Sequence, residues 1–339
     1  MQPVIVYPPT FDWDYLHQRP QQLLKALAEL GCISVFCNIN AYKQHPEGLI
    51  SLSPNLFLAN GLTFNTAVKT ARKLYPGQPV LAYFTYPPHI TQVQLPEVDL
   101  LLFDSVDEPA GEFSDWLPSY AQAVLNADIV TATARSLVVR ASLLAREVYL
   151  IPNGCDYNHF KEAQTKQYIE STPFKPGRPI IGYIGSIAPW VDMPLVNTMA
   201  RCLPDYEFVL IGPLLKQNWL ALLSKNIHYL HHKAYSELPR YLSNFDYCLI
   251  PFRITDMTKG VNPIKFWEYL ASGLPILSTP LPEIPPDFVT GITESMFPGF
   301  LPSPGKRSRA ERIQLASDNS WKNRAVTLLE IISNKLACG

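Results

Sequence analysis

The stretch VNPIKFWEYLASGLPILSTP, from Val261 to Pro280, places two charges in an otherwise apolar helical pattern and then breaks on glycine and proline. Lys265 and Glu268 are three positions apart, so they share one face of a helix that begins near Pro263. A lysine in the first turn opposes the helix dipole by roughly 0.3–1 kcal/mol unless an anion lies beside it. One interpretation is a phosphate bound at Lys265, and the other is a surface Lys–Glu pair that contributes little to stability.

Length and composition describe a globular protein with more than one domain. The chain has 339 residues, and at roughly 100–200 residues per domain this length predicts two domains. Hydrophobic residues make up 47% and charged residues 17%, which permits a large buried core. A formal net charge of -1 gives no reason to expect nucleic acid as a partner. The six cysteines contain no CxxC pair, and we expect buried free thiols rather than disulfides or zinc ligands.

Short apolar runs alternate with helical segments along most of the chain, which is typical of parallel βαβ units. The pattern predicts an α/β fold of two Rossmann-like, doubly wound parallel sheets that face each other across a cleft. The predicted strands are Pro3–Tyr7, Ser34–Asn38, Pro79–Phe84, Leu100–Asp104, Ile129–Ala132, Val148–Ile151, Pro179–Tyr183, Phe208–Gly212, Ile227–Leu230, Tyr247–Phe252 and Pro275–Thr279.

The polar, proline-bearing stretch Lys161–Pro179 separates the two sets of strands and predicts the domain boundary. The expected division is an N-terminal domain over residues 1–165, a C-terminal domain over 176–319, and a final helix over 320–339 that crosses back to the N-terminal domain.

Two helices and one loop are predicted from spacing and composition. Helical spacing predicts Arg19–Leu30 and Trp321–Leu336, the second with Ser320 as its N-cap. The stretch Pro282–Arg309 is so rich in proline and glycine that it predicts a loop with at most one short strand.

A small-residue turn follows the first strand of the second half. Gly185 and Ser186 come directly after the run IIGYI, where small residues let backbone N–H groups approach a phosphate at a helix N-terminus. An ordinary tight turn is the alternative. No G-x-G-x-x-G motif follows this strand or Tyr7, which disfavours a dinucleotide dehydrogenase.

Several segments together carry a family resemblance. The stretch PIKFWEYLASGLPILSTPLPE resembles the donor-site helix of retaining GT-B glycosyltransferases of the family 4 type, also called glycosyltransferase group 1. The segments LIPNGCDYNHF, IIGYIG and HHKAYSELPRYLSNFDYCLIPF resemble that family in the same order along the chain. The N-terminal segments WDYLHQRPQQLLKALAELG and FDSVDEPAGEF resemble a subgroup used in polysaccharide and cell-surface glycan assembly.

The resemblance implies roles for residues of the second half. Glu268 would bind the ribose of a nucleotide sugar, and Lys265 would hold the diphosphate together with Gly185 and Ser186. The loop Lys233–Leu238 would lie against the base.

One position departs from the family pattern. The family often has a second glutamate eight positions before the ribose-binding one, and here that position is Gly260. Asp256 or Asn262 is expected to compensate, with Arg253 and Lys259 as further donor-site cations.

Candidate residues of the first half follow its early strands. Asp107 and Glu108 are predicted to face the cleft on the acceptor side, with Asp107 as a second catalytic residue beside Lys265; a solvated or helix-capping acidic pair is the alternative. Arg19 is a further acceptor-side candidate, and a structural pairing with an acid is its alternative. His17 and His89 are interpreted as surface histidines.

The resulting functional hypothesis is sugar transfer from a nucleoside diphosphate sugar to a glycan, lipid-linked or small-molecule acceptor hydroxyl, with retention and without a metal ion or other cofactor. The alternatives are a sugar-nucleotide epimerase or phosphorylase on the same fold, or a non-catalytic donor-binding subunit. The start of the chain shows no secretory pattern and predicts a cytoplasmic protein. The basic segment NTAVKTARKLYPG suggests a peripheral contact with the inner face of the membrane, with an exposed helix face as the alternative.

Overall fold

The computed structural model describes residues 2–167, 169, 177–215, 224–293 and 305–338. The chain divides into two compact units, of which the first is Met1–Asn153 with Trp321–Gly339 and the second is Gly154–Ser320. The division falls before the predicted boundary stretch because Phe160 and Ala163 are buried in the core of the second unit. Residues 168 and 170–176 of that stretch lie outside the described residues.

The first unit is built on a sheet of eight strands in the order β3-β4-β2-β1-β5-β6-β7-β8, numbered along the chain. All neighbours are parallel except β3, which runs antiparallel to β4 at one edge. The strands are β1 Val4–Tyr7, β2 Ile33–Asn38, β3 Gly48–Ser53, β4 Leu56–Asn60, β5 Val80–Phe84, β6 Leu100–Ser105, β7 Ile129–Ala132 and β8 Tyr149–Leu150.

The helices of the first unit cover this sheet. Their bounds are α1 Arg19–Glu29, α2 Phe64–Leu74, α3 Ile90–Val93, α4 Leu117–Asn126, α5 Arg135–Ala141 and, from the end of the chain, α12 Trp321–Cys338, with 3-10 turns at Pro87–His89 and Gly111–Trp116.

The second unit is built on a sheet of six parallel strands in the order β11-β10-β9-β12-β13-β14. The strands are β9 Ile180–Ile184, β10 Glu207–Ile211, β11 Ile227–Tyr229, β12 Tyr247–Ile250, β13 Ile276–Ser278 and β14 Thr290–Gly291. The helices are α6 Tyr157–Phe160, α7 Met193–Cys202, α8 Leu238–Leu242, α9 Asp256–Lys259, α10 Ile264–Ser272 and α11 Arg309–Asp318, with 3-10 turns at Lys161–Gln164, Tyr235–Glu237 and Pro286–Phe288.

The predicted α/β fold with two Rossmann-like parallel sheets is confirmed. Each predicted strand is present, and the central strands are apolar and fully buried because helices cover both faces of a parallel sheet. The predicted helices Arg19–Leu30 and Trp321–Leu336 are α1 and α12, and the helix predicted to begin near Pro263 is α10. Helix α12 buries a single face, with Trp321, Ala325, Leu328 and Ile332 at helical spacing.

Strands β3 and β4 and helix α11 are among the elements that the sequence analysis does not predict. Strands β3 and β4 form a hairpin whose turn contains Asn55 in the left-handed region, at φ 62. Helix α11 begins after Ser308, which exchanges hydrogen bonds with Glu311 in a capping box. The described part of the predicted loop contains one short strand, β14, and the 3-10 turn Pro286–Phe288, and residues 294–304 lie outside the described residues.

Candidate functional site

The ammonium of Lys265 lies at the carboxyl ends of two neighbouring strands of the second unit. Lys265 is the second residue of α10, which begins at Ile264 after Pro263 as N-cap. Its Nζ lies 4.7 Å from the ring centroid of Phe252, beyond β12, and 5.6 Å from that of Tyr183 in β9. Aromatic faces attract a cation at these distances, so the two rings hold the ammonium at the sheet edge.

A glycine beside Lys265 leaves room for this arrangement. A Cβ added to Gly185 would lie 2.8 Å from Cε of Lys265 and 3.2 Å from its Nζ. The next strand approaches equally closely, since a Cβ on Gly212 would lie 2.1 Å from the Gly185 carbonyl oxygen. The Tyr183 hydroxyl donates to the carbonyl of Ser186 at 2.8 Å. The structure therefore brings Gly185, Ser186 and Lys265 together, as the sequence predicts.

The expected helix N-terminus at this turn is absent. Helix α7 begins only at Met193, and Asp192 caps it by accepting a hydrogen bond from the Leu195 N–H at 3.1 Å. The prediction that Gly185 and Ser186 open directly onto a helix is therefore wrong. The carboxylate of Asp192 already occupies the capping position that a phosphate would take. A loop separates Asp192 from the small-residue turn at Gly185 and Ser186.

Glu268 lies one turn after Lys265 on the same helix and is only 8% exposed. Burial raises the pKa of its carboxyl, which the Lys265 ammonium opposes and the Asp156 carboxylate reinforces. Burial also lowers the pKa of Lys265, and Glu268 acts in the opposite direction. A bound anion would stabilise the charged lysine, and hydroxyl donors would stabilise the charged carboxylate. The pair therefore suits a ligand that carries both an anionic and a hydroxyl-rich part.

The polar side chains of the loop before α10 lie in two different environments. Asn262 is buried, and its Oδ1 accepts the Trp267 indole N–H at 2.8 Å, so it fixes the start of the helix. Lys259 is exposed and pairs with Asp256 at 2.9 Å within the short helix α9, whose C-cap is Gly260.

Two further donor-site predictions fall on the described surface of the second unit. Arg253 follows Phe252, and its side chain is exposed. The segment Lys233–Leu238 lies beyond β11, where the His159 ring stacks on Tyr235 at 4.5 Å.

Arg19 forms a buried structural pair in the first unit. Its Nε lies 2.6 Å from Asp104 Oδ2 and its Nη2 lies 3.2 Å from Asp104 Oδ1, while Nη1 donates to Pro152 and Asn153 oxygens. Asp104 also accepts hydrogen bonds from the hydroxyls of Tyr83 and Thr131. The acceptor-side prediction for Arg19 is replaced by its alternative, because all three guanidinium nitrogens are bound within the protein.

Asp107 and Glu108 follow β6 but have different surroundings. Asp107 is half-buried, and burial raises the pKa of its carboxyl to about 6. Glu108 is buried and forms an ion pair with Arg140 of α5. Asp107 therefore remains a candidate for acid–base chemistry, whereas Glu108 has a structural partner.

The predicted basic membrane segment corresponds to α2, and one of its cations is bound within the unit. Arg72 pairs with Asp99 at 2.5 Å and donates to the carbonyls of Glu97 and Gln78. Lys69 lies 3.9 Å from Glu97. The exposed-helix alternative therefore fits this segment better. None of the described helices combines the length and the apolar character that crossing a bilayer requires.

Some residues of interest were not singled out from sequence. Tyr183 and Phe252 belong to apolar strand runs, and only their places at neighbouring strand ends could have indicated that they flank Lys265. His89 is 5% exposed, so its interpretation as a surface histidine is wrong. It is the last residue of the proline-bearing 3-10 turn that follows β5.

Comparison with known proteins agrees with this architecture. Residues 178–304 match the family model "Glycosyl transferases group 1". TuaH of Bacillus subtilis (strain 168), whose name assigns it to teichuronic acid biosynthesis as a glycosyltransferase, is 25% identical over 231 residues. The match covers 61% of this chain and 57% of that relative.

Solved structures share the fold over nearly the whole chain. Sucrose-phosphate synthase from Thermosynechococcus elongatus superposes with a TM-score of 0.72 at 14% identity and covers 100% of both chains. Anabaena HepE, solved in complex with UDP and glucose, superposes with a TM-score of 0.61 at 14% identity over 98% of this chain and 99% of that one. The fold is thus that of the GT-B glycosyltransferases. The predicted resemblance to group 1 glycosyltransferases is confirmed, and residues 178–304 carry that family's sequence pattern.

Proposed function

We propose that this protein transfers a sugar from a nucleoside diphosphate sugar to an acceptor hydroxyl, with retention of anomeric configuration. The observation that carries the proposal is the placement of Lys265 and Glu268 on one face of α10, beside Gly185 at the carboxyl end of β9. Open parallel sheets bind ligands at this edge. The family match over residues 178–304 covers the same elements.

In this proposal the ligand's two halves match the two charges. The diphosphate lies at Lys265, where Gly185 allows the ligand to approach the backbone. The ribose hydroxyls donate to the buried carboxylate of Glu268, since ionised carboxylates are strong acceptors in dry surroundings.

The chemistry proposed at this site is electrostatic. As the glycosidic bond breaks, negative charge grows on the departing diphosphate, and a preorganised ammonium stabilises that charge. The flanking rings of Tyr183 and Phe252 fix the ammonium before the substrate arrives, so little reorganisation is needed during reaction. The proposal assigns no metal ion to this step.

We place the reaction in the synthesis of a polysaccharide or cell-surface glycan, in the cytoplasm or at the inner face of the membrane. The teichuronic acid role in the name of TuaH supports this context. Asp107, half-buried at the end of β6, is the candidate side chain of the first unit for the reacting hydroxyl.

A donor-binding protein without transferase activity is the second candidate. It is favoured by Gly260, which stands where a sugar-contacting glutamate is often found, and by Asp256, which is exposed and paired with Lys259.

Incubation with the donor alone further separates a transferase from an epimerase, because an epimerase needs no acceptor.

The first experiment is a thermal-shift panel of UDP, GDP, ADP and dTDP on the full chain, with EDTA present throughout. UDP heads the panel because HepE was solved with it. Binding to the native state raises the melting temperature by mass action. We expect one nucleotide to raise the melting temperature of the wild type and of Glu162→Ala, a control in which the replaced side chain is exposed. The rise should be much smaller in Glu268→Ala. No shift with any nucleotide would contradict the proposal.

Retention and turnover are tested with the corresponding nucleotide sugar and a broad acceptor panel. We expect a product whose anomeric configuration, read by NMR, equals that of the donor. An inverted product would remove retention from the proposal, and nucleotide binding without any product would favour the second candidate.

A further inference from the structure

Two central strands of the second unit's sheet, β9 and β12, separate before its carboxyl edge. In the part of the chain that the structure describes, β9 pairs with β12 only at Ile181 and Gly182. On its other side β9 pairs with β10 as far as Ile184, and β12 pairs with β13 as far as Ile250. The strand order also reverses here, since β10 and β11 lie on one side and β12 to β14 on the other. A gap therefore opens between β9 and β12 at the point where open parallel sheets bind ligands.

The Lys265 ammonium lies beside this gap. It is close to the Tyr183 ring of β9 on one side and to the Phe252 ring beyond β12 on the other. Farther along the chain the two sides meet again, because Val191, in the loop after β9, forms an antiparallel bridge with Phe252. The gap is thus bounded by strand pairing at one end and by this bridge at the other.

The Tyr269 hydroxyl takes the place of the strand that Ile184 lacks. The Ile184 N–H donates to Tyr269 Oη at 2.8 Å, and the hydroxyl donates to the Ile184 carbonyl at 3.4 Å. The next N–H, that of Gly185, donates to Ile211 of β10 at 2.8 Å, because successive backbone groups of a strand point to opposite neighbours. Tyr269 is fully buried, so its hydroxyl gives both buried groups of Ile184 the partner that they need.

Tyr269 lies on the helix that carries the lysine. Lys265 and Tyr269 are four positions apart in α10, so their side chains share one face. The hydroxyl binds Ile184, and the lysine lies beside the next residue, Gly185. The hydrogen bond therefore fixes this helix face against the end of β9. A phenylalanine would fill nearly the same volume but leave Ile184 without a partner, so that the helix and the strand end would shift.

We propose that Tyr269 is a positioning residue, whose hydroxyl ends the pairing of β9 with β12 and fixes the Lys265 ammonium beside the gap. The inference rests on the proposed function, which assigns the diphosphate to Lys265. Tyr269 itself touches no substrate and acts through the lysine. Because a misplacement of about 1 Å can cost on the order of 100-fold in rate, we expect Tyr269→Phe to lower kcat about tenfold or more. The donor KM should change less, as for loss of the lysine itself.

A double-mutant cycle separates this role from a general loss of stability. The value of kcat is measured for the wild type, Tyr269→Phe, Lys265→Ala and the double variant. Effects of independent residues add, whereas effects of residues that act through one another do not. Once the lysine is absent, Tyr269→Phe should therefore change kcat by less than about twofold. Additive losses would overturn the inference.

The position of the lysine can also be read without any ligand. The probe is the NMR signal of the Lys265 ε-methylene in protein made with ¹³C-labelled lysine, assigned by its loss in Lys265→Ala. Ring currents of the two neighbouring aromatic side chains should displace this signal from the ordinary lysine range. We expect Tyr269→Phe to move it toward that range. Tyr7→Phe is the matched control, because Tyr7 is also fully buried and its hydroxyl bonds to Thr85 at 2.7 Å in the first unit. It should leave the signal in place.

A measurement on the wild type does not depend on any variant folding. We expect a nuclear Overhauser effect between the Ile184 amide proton and the Tyr269 ring protons, and slow hydrogen exchange of that amide. Absence of the Overhauser effect would overturn the inference.

The outcomes distinguish this inference from the proposed function. An unchanged Lys265 signal in folded Tyr269→Phe would overturn the role of Tyr269 even if a nucleotide binds. A protein that gives the expected NMR results but binds no nucleotide would contradict the proposed function, while Tyr269 would still be shown to position the lysine.

Discussion

A Cβ added to Gly185 would lie 2.8 Å from Cε of Lys265, so the position of the lysine depends on a glycine at the end of β9. The Tyr183 hydroxyl oxygen would lie 2.9 Å from the added Cβ and would also have to move. Gly185 has φ 153, at the margin of the region that side chains rarely adopt. One missing side chain therefore makes room for the charge that we assign to the diphosphate.

Gly185→Ala is expected to displace Lys265 and to weaken nucleotide binding about tenfold or more. Calorimetry with the nucleotide found in the panel measures this effect. Gly291→Ala in β14 is the matched control, since nothing lies within 4 Å of its added Cβ. Equal affinities for both variants would show that the close approach at Gly185 has no role in binding.

Lys265→Ala should lower kcat more than it lowers affinity for the intact donor. The reason is that negative charge on the diphosphate grows in the transition state, and removing one such electrostatic group typically costs ~10²–10³ in rate. Steady-state kinetics on Lys265→Ala and on the exposed control Lys225→Ala give the comparison. A raised KM at unchanged kcat would mean that Lys265 contributes to binding alone.

Arg19→Leu is expected to destabilise the first unit. It leaves the buried carboxylate of Asp104 without its cation, and breaking a buried ion pair from one side costs roughly 3–5 kcal/mol. Denaturant unfolding measures the loss against Arg201→Leu, whose arginine is exposed. A stable Arg19→Leu protein that has lost only acceptor affinity would restore the acceptor-side interpretation of Arg19.

His89 should make stability depend on pH below neutrality. Its pKa is lowered by burial to about 4 from an ordinary value of about 6.5, so the unfolded chain binds more protons than the native one between these values. The contribution of His89 to the free energy of unfolding is therefore present near neutral pH and is lost as pH falls from about 6.5 toward 4.

The comparison of wild type with His89→Gln isolates this contribution, since glutamine does not titrate. Urea unfolding is measured at several pH values over that range. We expect the difference in unfolding free energy between the two proteins to shrink as pH falls. A difference that stays constant would show that His89 titrates normally and is not buried as a neutral ring.

Much of the fold follows from patterns that are local in the sequence. Central strands such as Val4–Tyr7 and Ile180–Ile184 are short apolar runs because both faces of a parallel sheet are covered. The hairpin β3–β4 also carried a signal, since Pro54 and Asn55 form a turn between two apolar runs. Its half-exposed outer strand made that signal weaker than those of the central strands.

The candidate site was only partly predictable for a different reason. Lys265 and Glu268 share a helix, so their common face follows from their spacing. The partner of Arg19 is remote in sequence, at Asp104, and nothing in the local pattern decides whether side chains such as those of Arg19 and His89 are buried. Burial of polar residues depends on tertiary packing, which the sequence pattern does not encode locally.

The central claim is that Glu268 holds the hydroxyl-bearing part of a nucleotide whose diphosphate lies at Lys265. Its most direct test is the calorimetric affinity of the nucleotide for the wild type, Glu268→Ala and the exposed control Glu162→Ala, with folding verified for each. Because hydrogen bonds to a charged group contribute roughly 1.5–3 kcal/mol, the account predicts at least about a tenfold loss in Glu268→Ala and none in Glu162→Ala. An unchanged affinity in folded Glu268→Ala would contradict it.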